Sequence, residues 1–290
     1  MRFARTCVAV DNRLGATERE DIGEHAMMPV EFDVTGKVVF ITGAGRGIGK
    51  GIAQVLAEAG ADIALNALTP TYVTPTAAEI AAVSGRRVVP IVADVTKPDE
   101  VRRAVEEILA TLGRIDVLVN ALGDSIRKPL VTLPGKADSG IGVSDDELRF
   151  IMDINLTEAL LCTRAVGPHM LARRSGKVIN IASWTAHQGG RDMVIYTTAK
   201  TALAGFTRAQ ALEWAPYGVR VNAIAPGLFP DVVTAGEERF QQLTQRAEQT
   251  VPLGRAGQLR EVGLLALYLA SDASDYMTGQ TILLDGGLGL

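Results

Sequence analysis

Short runs of β-branched and other apolar residues alternate with helical stretches from residue 37 to the end of the chain. Strands are predicted at residues 37–42, 62–66, 87–93, 115–120, 177–182, 219–225 and 281–285. Longer helical patterns, such as residues 47–60 and 97–113, lie between them. Parallel strands need crossover helices, and both faces of their sheet must be covered, so the alternation predicts an α/β fold with a doubly wound parallel sheet.

The size and composition of the chain limit its function classes. With 290 residues it has room for one large domain. A net charge of −4 offers no basic surface for nucleic acid, and no apolar run approaches the about 20 residues of a membrane span. Cys7 and Cys162 are too few for a disulfide framework or a cysteine metal site, and the 3 histidines are scattered. We expect a soluble cytoplasmic protein without metal, nucleic-acid or membrane partners, with a flexible extension over residues 1–32 and one domain over residues 33–290.

The first predicted strand runs into TGAGRGIG, residues 42–49, which then opens a helix. Glycines there let the backbone approach a pyrophosphate, whose charge is met by free N–H groups at the helix N-terminus. The spacing departs from G-x-G-x-x-G, because Ile48 stands where the third glycine would be, and fits T-G-x-x-x-G-x-G with Gly43, Gly47 and Gly49. An ordinary glycine-rich turn is the alternative, but the flanking strand and helix favour a dinucleotide site.

Other strands end in polar residues that should share one edge of the sheet. Asp94 and Val95 follow the third strand, residues 120–123 the fourth, and Ser183 the fifth. Asp94 could accept a hydrogen bond from an adenine amino group, and Val95 could pack against the ring. Each alone is more often a cap or turn, but together they line the edge where such sheets bind ligands.

Tyr196 and Lys200 are four residues apart, which places them on one face of a helix about 6 Å from each other. The tyrosine pKa of about 10 is too high for a base at neutral pH, and a nearby ammonium would lower it. In isolation this pattern is usually a surface pair. Its interpretation therefore depends on the other motifs.

Taken together, the motifs resemble the short-chain dehydrogenases/reductases. The resemblance rests on T-G-x-x-x-G-I-G at residues 42–49, Asp94 with Val95, N-A-x-G at 120–123, Asn155, Ser183, Y-x-x-x-K at 196–200, and Pro226 with Gly227. They stand in the family's order over about residues 33–290. One departure is Leu122, which intrudes into the family's usual Asn-Ala-Gly.

The resemblance implies a single-domain Rossmann-like fold of seven parallel strands, a nicotinamide cofactor and a homotetramer. It also implies catalytic roles for Asn155, Ser183, Tyr196 and Lys200. Tyr196 would exchange the proton, Ser183 would hydrogen-bond the substrate oxygen, Lys200 would reach the nicotinamide ribose, and Asn155 would hold a water. The expected cofactor-binding residues are Thr42, Gly43, Arg46, Gly47, Ile48, Gly49, Asp94, Val95, Asn120, Ala121, Tyr196, Lys200, Pro226 and Gly227.

The second strand bears on the choice of cofactor. NAD users commonly bind the ribose 2′-OH with an acid after this strand. Residues 66–70 read NALTP, and Asp62 lies at the opposite end. Arg46 in the glycine turn suits a 2′-phosphate, although it could be a solvated turn residue. NADP is therefore favoured over NAD.

Substrate is expected between residues 123–130, residues 184–193 and a lid that includes residues 226–233 and 237–249. The candidate donors and walls are Arg127, His187, Arg191, Trp184, Met193, Leu228 and Phe229. Arginine suits a carboxylate, and IRKP at 126–129 resembles the loop of gluconate-type sugar-acid dehydrogenases. The alternative is that the arginines are surface charges beside the cleft.

The sequence thus predicts an NAD(P)-dependent oxidoreductase that interconverts a ketone and a secondary alcohol, with a sugar acid or polyol as substrate. One alternative is a 3-oxoacyl thioester reductase, for which the apolar walls would matter more than the arginines. The alternative from another class is a non-catalytic nucleotide-sensing protein with the same fold.

Overall fold

The computed structural model describes residues 29–135 and 141–290. Each predicted strand is present: β1 (Val38–Ile41), β2 (Asp62–Ala67), β3 (Val88–Val92), β4 (Val117–Asn120), β5 (Gly176–Ile181), β6 (Val219–Pro226) and β7 (Thr281–Leu284). The extension predicted for residues 1–32 lies outside the described residues as far as residue 28. Val30–Phe32 form a short 3-10 turn.

The strands form one parallel sheet in the order β3-β2-β1-β4-β5-β6-β7. This confirms the doubly wound, Rossmann-like fold. Phe40 in the central strand pairs with Ala64 of β2 on one side and with Leu118 of β4 on the other. Strand order reverses between β1 and β4, which leaves a crevice at the carboxyl ends of these two strands.

Helices connect the strands on both faces of the sheet. They are α1 (Gly47–Glu58), α2 (Pro70–Ser84), α3 (Pro98–Leu112), α4 (Asp145–Met152), α5 (Glu158–Arg173), α6 (Thr185–Gln188), α7 (Val194–Trp214), α8 (Val232–Ala235), α9 (Glu237–Thr250) and α10 (Leu259–Ala270). A π-helical segment, Asp153–Thr157, joins α4 to α5 without a break. In the part of the chain that the structure describes, no helix is both long and apolar enough to cross a bilayer.

Side chains of each strand alternate between two core layers. Val39 and Ile41 of β1 pack with α1, α2 and α10, whereas Val38 and Phe40 pack with α3, α5 and α7. Burial on both faces explains why the strands read as continuous apolar runs in the sequence.

Helices α1 and α10 approach each other closely because two glycines lie at their crossing. A Cβ on Gly51 would lie 2.7 Å from the Cβ and carbonyl oxygen of Leu259. One on Gly263 would lie 2.6 Å from Val55 Cγ2. This contact fixes α1, and with it the glycine-rich turn at its N-terminus, against the sheet.

We expect Gly51→Ala to lower the free energy of unfolding by about 2 kcal/mol, because crowding against Leu259 outweighs the helix-propensity gain of about 1 kcal/mol for alanine. Urea denaturation measures the change. Gln54→Ala in the same helix is the matched control, since its side chain makes one exposed hydrogen bond to Glu79, and we expect a change within about 0.5 kcal/mol. Equal stability of Gly51→Ala and the wild type would show that α10 can shift without cost.

Candidate active site

One cleft of about 840 Å³ lies beyond the carboxyl ends of the central strands. Many residues predicted from separate motifs line it: Ile48, Ala121, Arg127, Ser183, Trp184, Met193, Tyr196, Lys200, Pro226, Gly227, Leu228 and Phe229. The fold therefore brings together side chains that are up to 181 positions apart in the sequence, from Ile48 to Phe229.

Helix α7 presents Tyr196 and Lys200 to this cleft, with Lys200 Nζ 5.9 Å from the centre of the Tyr196 ring. Lys200 is only 3% exposed, and its Nζ donates to the carbonyl oxygen of Ile181 at 2.8 Å, at the end of β5. An ammonium has further N–H donors. These remain for a ligand or a water in the cleft.

Ser183 follows β5 directly and is buried at the base of the cleft. Its Oγ accepts hydrogen bonds from Thr185 N at 3.2 Å and from Thr185 Oγ1 at 3.0 Å. A hydroxyl has one proton of its own to donate. Because Thr185 supplies the protons in both bonds, Ser183 can donate its proton to an oxygen atom in the cleft.

The pKa of Tyr196 in the unliganded protein is raised, chiefly because burial disfavours the phenolate. The Ser183 hydroxyl opposes this shift, and the Asp124 carboxylate adds to it. The direction is opposite to the one expected from the Lys200 ammonium. The Lys200 Nζ is bound to the carbonyl oxygen of Ile181 and lies 5.9 Å from the centre of the phenol ring, and the effect of burial on the phenolate dominates.

Glu158 is a residue that the sequence analysis missed. It is 1% exposed, stands one turn after Asn155, and accepts a hydrogen bond at Oε2 from Thr42 Oγ1 at 3.2 Å. Burial raises the pKa of Glu158 to about 8 and lowers that of Lys200 to about 8, and each charge opposes the shift of the other. The available signal was one acidic residue among the apolar and small residues that follow Asn155.

Asn155 lies in the π-helical segment and is fully buried. Its Nδ2 donates to the carbonyl oxygens of Asp124 at 2.8 Å and Ile151 at 2.9 Å, whereas its Oδ1 has no hydrogen-bond partner among the described residues. A Cβ on Gly123 would lie 2.7 Å from this Oδ1 and 3.1 Å from Lys200 Nζ. An unpaired buried acceptor near an ammonium is a favourable place for a water.

Thr42 connects the glycine-rich turn to the loop after β4. Its Oγ1 accepts hydrogen bonds from Ala121 N at 3.0 Å and Leu122 N at 3.2 Å. Gly43 has a φ of +61°, and a Cβ there would lie 2.7 Å from Leu122 Cα, so both conformation and space require glycine. Leu122, the departure from the family pattern, keeps this backbone contact while its side chain packs against the cluster of Ile151, Ile154 and Ile195.

The turn also places a charged group near the end of β2. Arg46 precedes α1, and its guanidinium carbon lies 4.8 Å from the centre of the Tyr72 ring. Asn66 is buried, and its Nδ2 donates to the carbonyl oxygens of Ile91 and Ala93 at 3.1 Å each. Because Asn66 ties β2 to β3, Arg46 is the better placed of the two to meet a ribose substituent.

The residues after β3 and β4 differ in what they can offer a ligand. Asp94 Oδ1 accepts from Thr96 N at 3.0 Å and from Thr96 Oγ1 at 2.6 Å. Val95 is 2% exposed and packs in the core. Asn120 is also buried, and its Nδ2 donates to Asn180 Oδ1 at 2.8 Å. Val95 and Asn120 therefore present their backbone rather than their side chains to this edge.

Two arginines that the sequence analysis did not single out join Arg127 in the cleft. Arg239 and Arg246 of α9 line it, and their separation of seven residues places both on one helix face. Burial lowers the pKa of Arg127, the charges of Arg246 and Arg239 lower it further, and Asp192 acts in the opposite direction. The signal available in the sequence was the recurrence of arginine at positions 239 and 246, on one face of the predicted lid.

The predicted donors His187 and Arg191 lie elsewhere. Both are exposed, His187 in α6 and Arg191 in the loop that follows it, and neither lines the cleft. Trp184 and Phe229 do form part of its wall. Of the three polar side chains predicted for substrate, Arg127 is the one that the fold brings to Ser183 and Tyr196.

The described residues fit a bound dinucleotide. Helix α1 begins at Gly47 without a side-chain cap, so its first N–H groups are free to meet a phosphate, and Gly43 allows the loop after β4 to approach the glycine-rich turn closely. No group of three or more His, Cys, Asp or Glu side chains in the described ranges could hold a metal ion.

Comparison with known proteins identifies relatives over most of the chain. A family model described as enoyl-(acyl carrier protein) reductase matches residues 43–289. The 2-dehydro-3-deoxy-D-gluconate 5-dehydrogenase of Bacillus subtilis (strain 168) is 35% identical over 256 residues, covering 88% of this chain and 96% of that protein. The 3-oxoacyl-[acyl-carrier-protein] reductase FabG of Thermotoga maritima is 34% identical over 253 residues, covering 87% of this chain and 98% of that protein.

A solved structure is similar over the same extent. It is a gluconate 5-dehydrogenase from Burkholderia cenocepacia J2315 in complex with NADP and tartrate. Its TM-score is 0.79 at 34% sequence identity, and the match covers 89% of this chain and 97% of that one.

We expect Tyr196 of the unliganded protein to ionise above the ordinary tyrosine pKa of about 10, because burial disfavours the phenolate. The difference between the alkaline absorbance titrations of the wild type and Tyr196→Phe isolates this phenol. The raised pKa of Tyr196 stabilises the folded state fully below about pH 10. This stabilisation is lost as the pH rises through the pKa of the folded protein, since the tyrosine of the unfolded chain ionises first. Tyr276→Phe, at a fully exposed position, is the control. A midpoint for Tyr196 below about 10 would show that the ammonium dominates.

Proposed function

The chain belongs to the short-chain dehydrogenase/reductase family and is an NAD(P)-dependent oxidoreductase, and we propose that it interconverts a secondary alcohol and a ketone on a sugar acid. The observation that carries this substrate class is the position of Arg127, in the same cleft as Ser183 and Tyr196. A guanidinium holds a carboxylate by paired, charge-assisted hydrogen bonds. Two similar proteins are named for sugar acids, 2-dehydro-3-deoxy-D-gluconate and gluconate.

Tyr196 is the proposed acid and base. During reduction its hydroxyl gives a proton to the developing alkoxide, while Ser183 donates a hydrogen bond to the same oxygen. During oxidation the same groups act in reverse. A nicotinamide bound in this cleft would supply or accept the hydride. Lys200 stabilises the phenolate and donates to the ribose hydroxyls, and Asn155 holds a water that returns protons to the relay.

NADP is the proposed preferred cofactor, with NAD as the alternative. The preference for NADP is supported by Arg46 in the glycine turn and by the lack of a carboxylate in residues 66–70. The gluconate 5-dehydrogenase complex contains NADP. The residues proposed to hold the cofactor are Thr42, Gly43, Arg46, Gly47, Ile48, Gly49, Asp94, Val95, Asn120, Ala121, Tyr196, Lys200, Pro226 and Gly227, with Val95 and Asn120 acting through their backbone.

A 3-oxoacyl thioester reductase is the second candidate. It is favoured by the apolar walls formed by Trp184, Met193, Leu228 and Phe229, and by the similarity to the Thermotoga maritima reductase. A non-catalytic nucleotide sensor ranks lower, because Asn155, Ser183, Tyr196 and Lys200 are all present. A protein that had lost turnover would be expected to have lost at least one of them.

Assembly, location and domain limits are part of the same proposal. A homotetramer is supported by exposed apolar side chains on α5 and α7, among them Leu160 at 38% and Leu212 at 80% exposure. A cytoplasmic location is supported by the low cysteine content and by the free, buried thiol of Cys162. Residues 33–290 would form the catalytic domain and residues 1–32 an extension before it.

A substrate panel followed at the absorbance of reduced nicotinamide tests the reaction. We expect turnover of gluconate or a related sugar acid, and loss of turnover in Tyr196→Phe with cofactor binding retained. Arg127→Ala should raise the KM for the sugar acid by about tenfold or more, because a hydrogen bond to a charged group contributes about 1.5–3 kcal/mol. Arg103→Ala, at an exposed position on α3, is the matched control and should leave KM unchanged.

Two results would replace this substrate assignment. If acetoacetyl thioester is turned over better and Arg127→Ala leaves that rate alone, the 3-oxoacyl reductase is correct. If the protein binds cofactor tightly but turns over no member of the panel, the result supports the non-catalytic nucleotide sensor.

Cofactor preference is tested by Arg46→Ala. We expect kcat/KM for NADP to fall about tenfold or more while kcat/KM for NAD changes little, because only the 2′-phosphate gains a charge-assisted bond. Steady-state kinetics with both cofactors measures the ratio. A several-fold higher kcat/KM for NAD than for NADP in the wild type would reverse the assignment.

A further inference from the structure

Helix α9 forms one wall of the cleft and presents two arginines, Arg239 and Arg246, that have no role in the reaction proposed above. We propose that these two guanidinium groups form a second anion site, so that the substrate carries a second anionic group, a carboxylate or a phosphate, besides the carboxylate assigned to Arg127. The inference rests on the proposed function, because it narrows the substrate class from sugar acids to sugar acids with two anionic groups.

The packing of α9 determines which of its side chains face the cleft. Ala247 is fully buried and Leu243 is half-buried, so this side of the helix lies against the protein. Residues 239, 243, 246 and 250 recur at intervals of three and four, as one helix face requires, and all four line the cleft. Arg239 and Arg246 therefore precede and follow Leu243 on that face, with their Cα atoms about 10 Å apart along the helix axis.

The acidic side chains of α9 lie outside the cleft. Glu237 accepts a hydrogen bond from Gln241 at 3.3 Å, and Glu238 accepts one from Gln242 at 3.2 Å. Neither glutamate lines the cleft, and Glu248 does not line it either. The positive charge on the inner face of α9 is therefore not compensated by the helix itself.

Within the described ranges, none of the three guanidinium groups of the cleft forms an ion pair. Arg239 Nη1 donates to the neutral amide oxygen of Gln242 at 3.3 Å. Elsewhere in the fold arginines do have carboxylate partners, as Arg255 has Glu261 at 2.6 Å. The guanidinium groups of the cleft are thus available to a ligand.

The three like charges act on one another within the cleft. Burial lowers the pKa of Arg127, the charges of Arg246 and Arg239 lower it further, and Asp192 opposes them. A single carboxylate has two oxygens, which the paired hydrogen bonds of one guanidinium, that of Arg127, can occupy. The two arginines of α9 would then still lack an anion. A second anionic group on the same substrate compensates them.

The pyrophosphate of the cofactor is another anion that could meet these arginines, but a different helix borders its expected site. A Cβ on Gly47 would lie 3.5 Å from Thr234 Oγ1 and 4.0 Å from Asp231 Oδ2, so α8 and the residue before it adjoin the glycine-rich turn. Gly47 does not line the cleft. Arg239 and Arg246 line it together with the proposed catalytic residues, which places them at the substrate end.

The proposal is tested by calorimetric titration of the protein, saturated with reduced cofactor, with three sugar acids. Gluconate carries one carboxylate, glucarate has a second carboxylate at the other end of the same carbon skeleton, and 6-phosphogluconate has a phosphate there. None contains a ketone, so no hydride is transferred. We expect one or both dianions to have a Kd about tenfold or more below that of gluconate, the effect of a hydrogen bond to a charged group. The tighter ligand identifies the second group as carboxylate or phosphate.

The double variant Arg239→Ala/Arg246→Ala should lose this preference, with the Kd values for gluconate and the dianion then within about threefold of each other. Both side chains are exposed, so their removal should leave the fold intact. Arg103→Ala, at an exposed position on α3, removes the same charge outside the cleft and should keep the wild-type ratio. Gln245→Ala, at an exposed position of α9 that does not line the cleft, is the second control.

Wild-type protein that binds gluconate and both dianions with equal affinity would overturn this inference alone and leave the proposed function in place. A double variant that keeps the wild-type ratio would also overturn it. So would a double variant whose only defect is weaker binding of the reduced cofactor, which would assign α9 to the cofactor. The titrations need no turnover, so protein that prefers a dianion but oxidises no sugar acid would refute the proposed reaction and support the second anion site.

Discussion

The reversal of strand order between β1 and β4 is the constraint on which the site depends. The connection after β1 goes to the face covered by α1, and the connection after β4 goes to the opposite face covered by α5. The two connections must diverge, and the space between them is open to solvent and to ligands. Thr42 lies between the two connections, where its hydroxyl forms hydrogen bonds with the loop after β4 and with Glu158.

Charge is distributed unevenly through this cleft. At its base the Glu158 carboxyl group and the Lys200 amine are both buried, and burial raises the pKa of the first and lowers that of the second, each to about 8. On its walls three guanidinium groups face the same volume, and the pKa of Arg127 is lowered first by burial and then by the charges of Arg246 and Arg239. A ligand that carries a negative charge would relieve this repulsion between like charges. The base of the cleft is thus suited to proton transfer and its walls to the recognition of an anion.

Much of the fold could be predicted from the sequence because the relevant signals are local. Buried parallel strands require apolar residues on both faces, and a turn that meets a phosphate requires glycine, so β1 and residues 42–49 were recognisable. The partners of Asn66 and Glu158 could not be predicted, because they depend on contacts between strands and helices that are distant in the sequence. The direction of the Tyr196 pKa shift also depends on burial and on Asp124, neither of which the spacing of Tyr196 and Lys200 reveals.

The π-helical segment Asp153–Thr157 sets the rotational phase between α4 and α5. Successive residues of an α-helix are turned by about 100°, so the wide turn offsets the faces of the two helices from those of a regular helix. Ile151 before it and Glu158 after it both point into the protein in this phase. A chain with one residue fewer here would form an unbroken helix but would misalign either the apolar face of α4 or the buried carboxylate of α5. The length of this segment is therefore constrained by the buried faces of both helices that it joins.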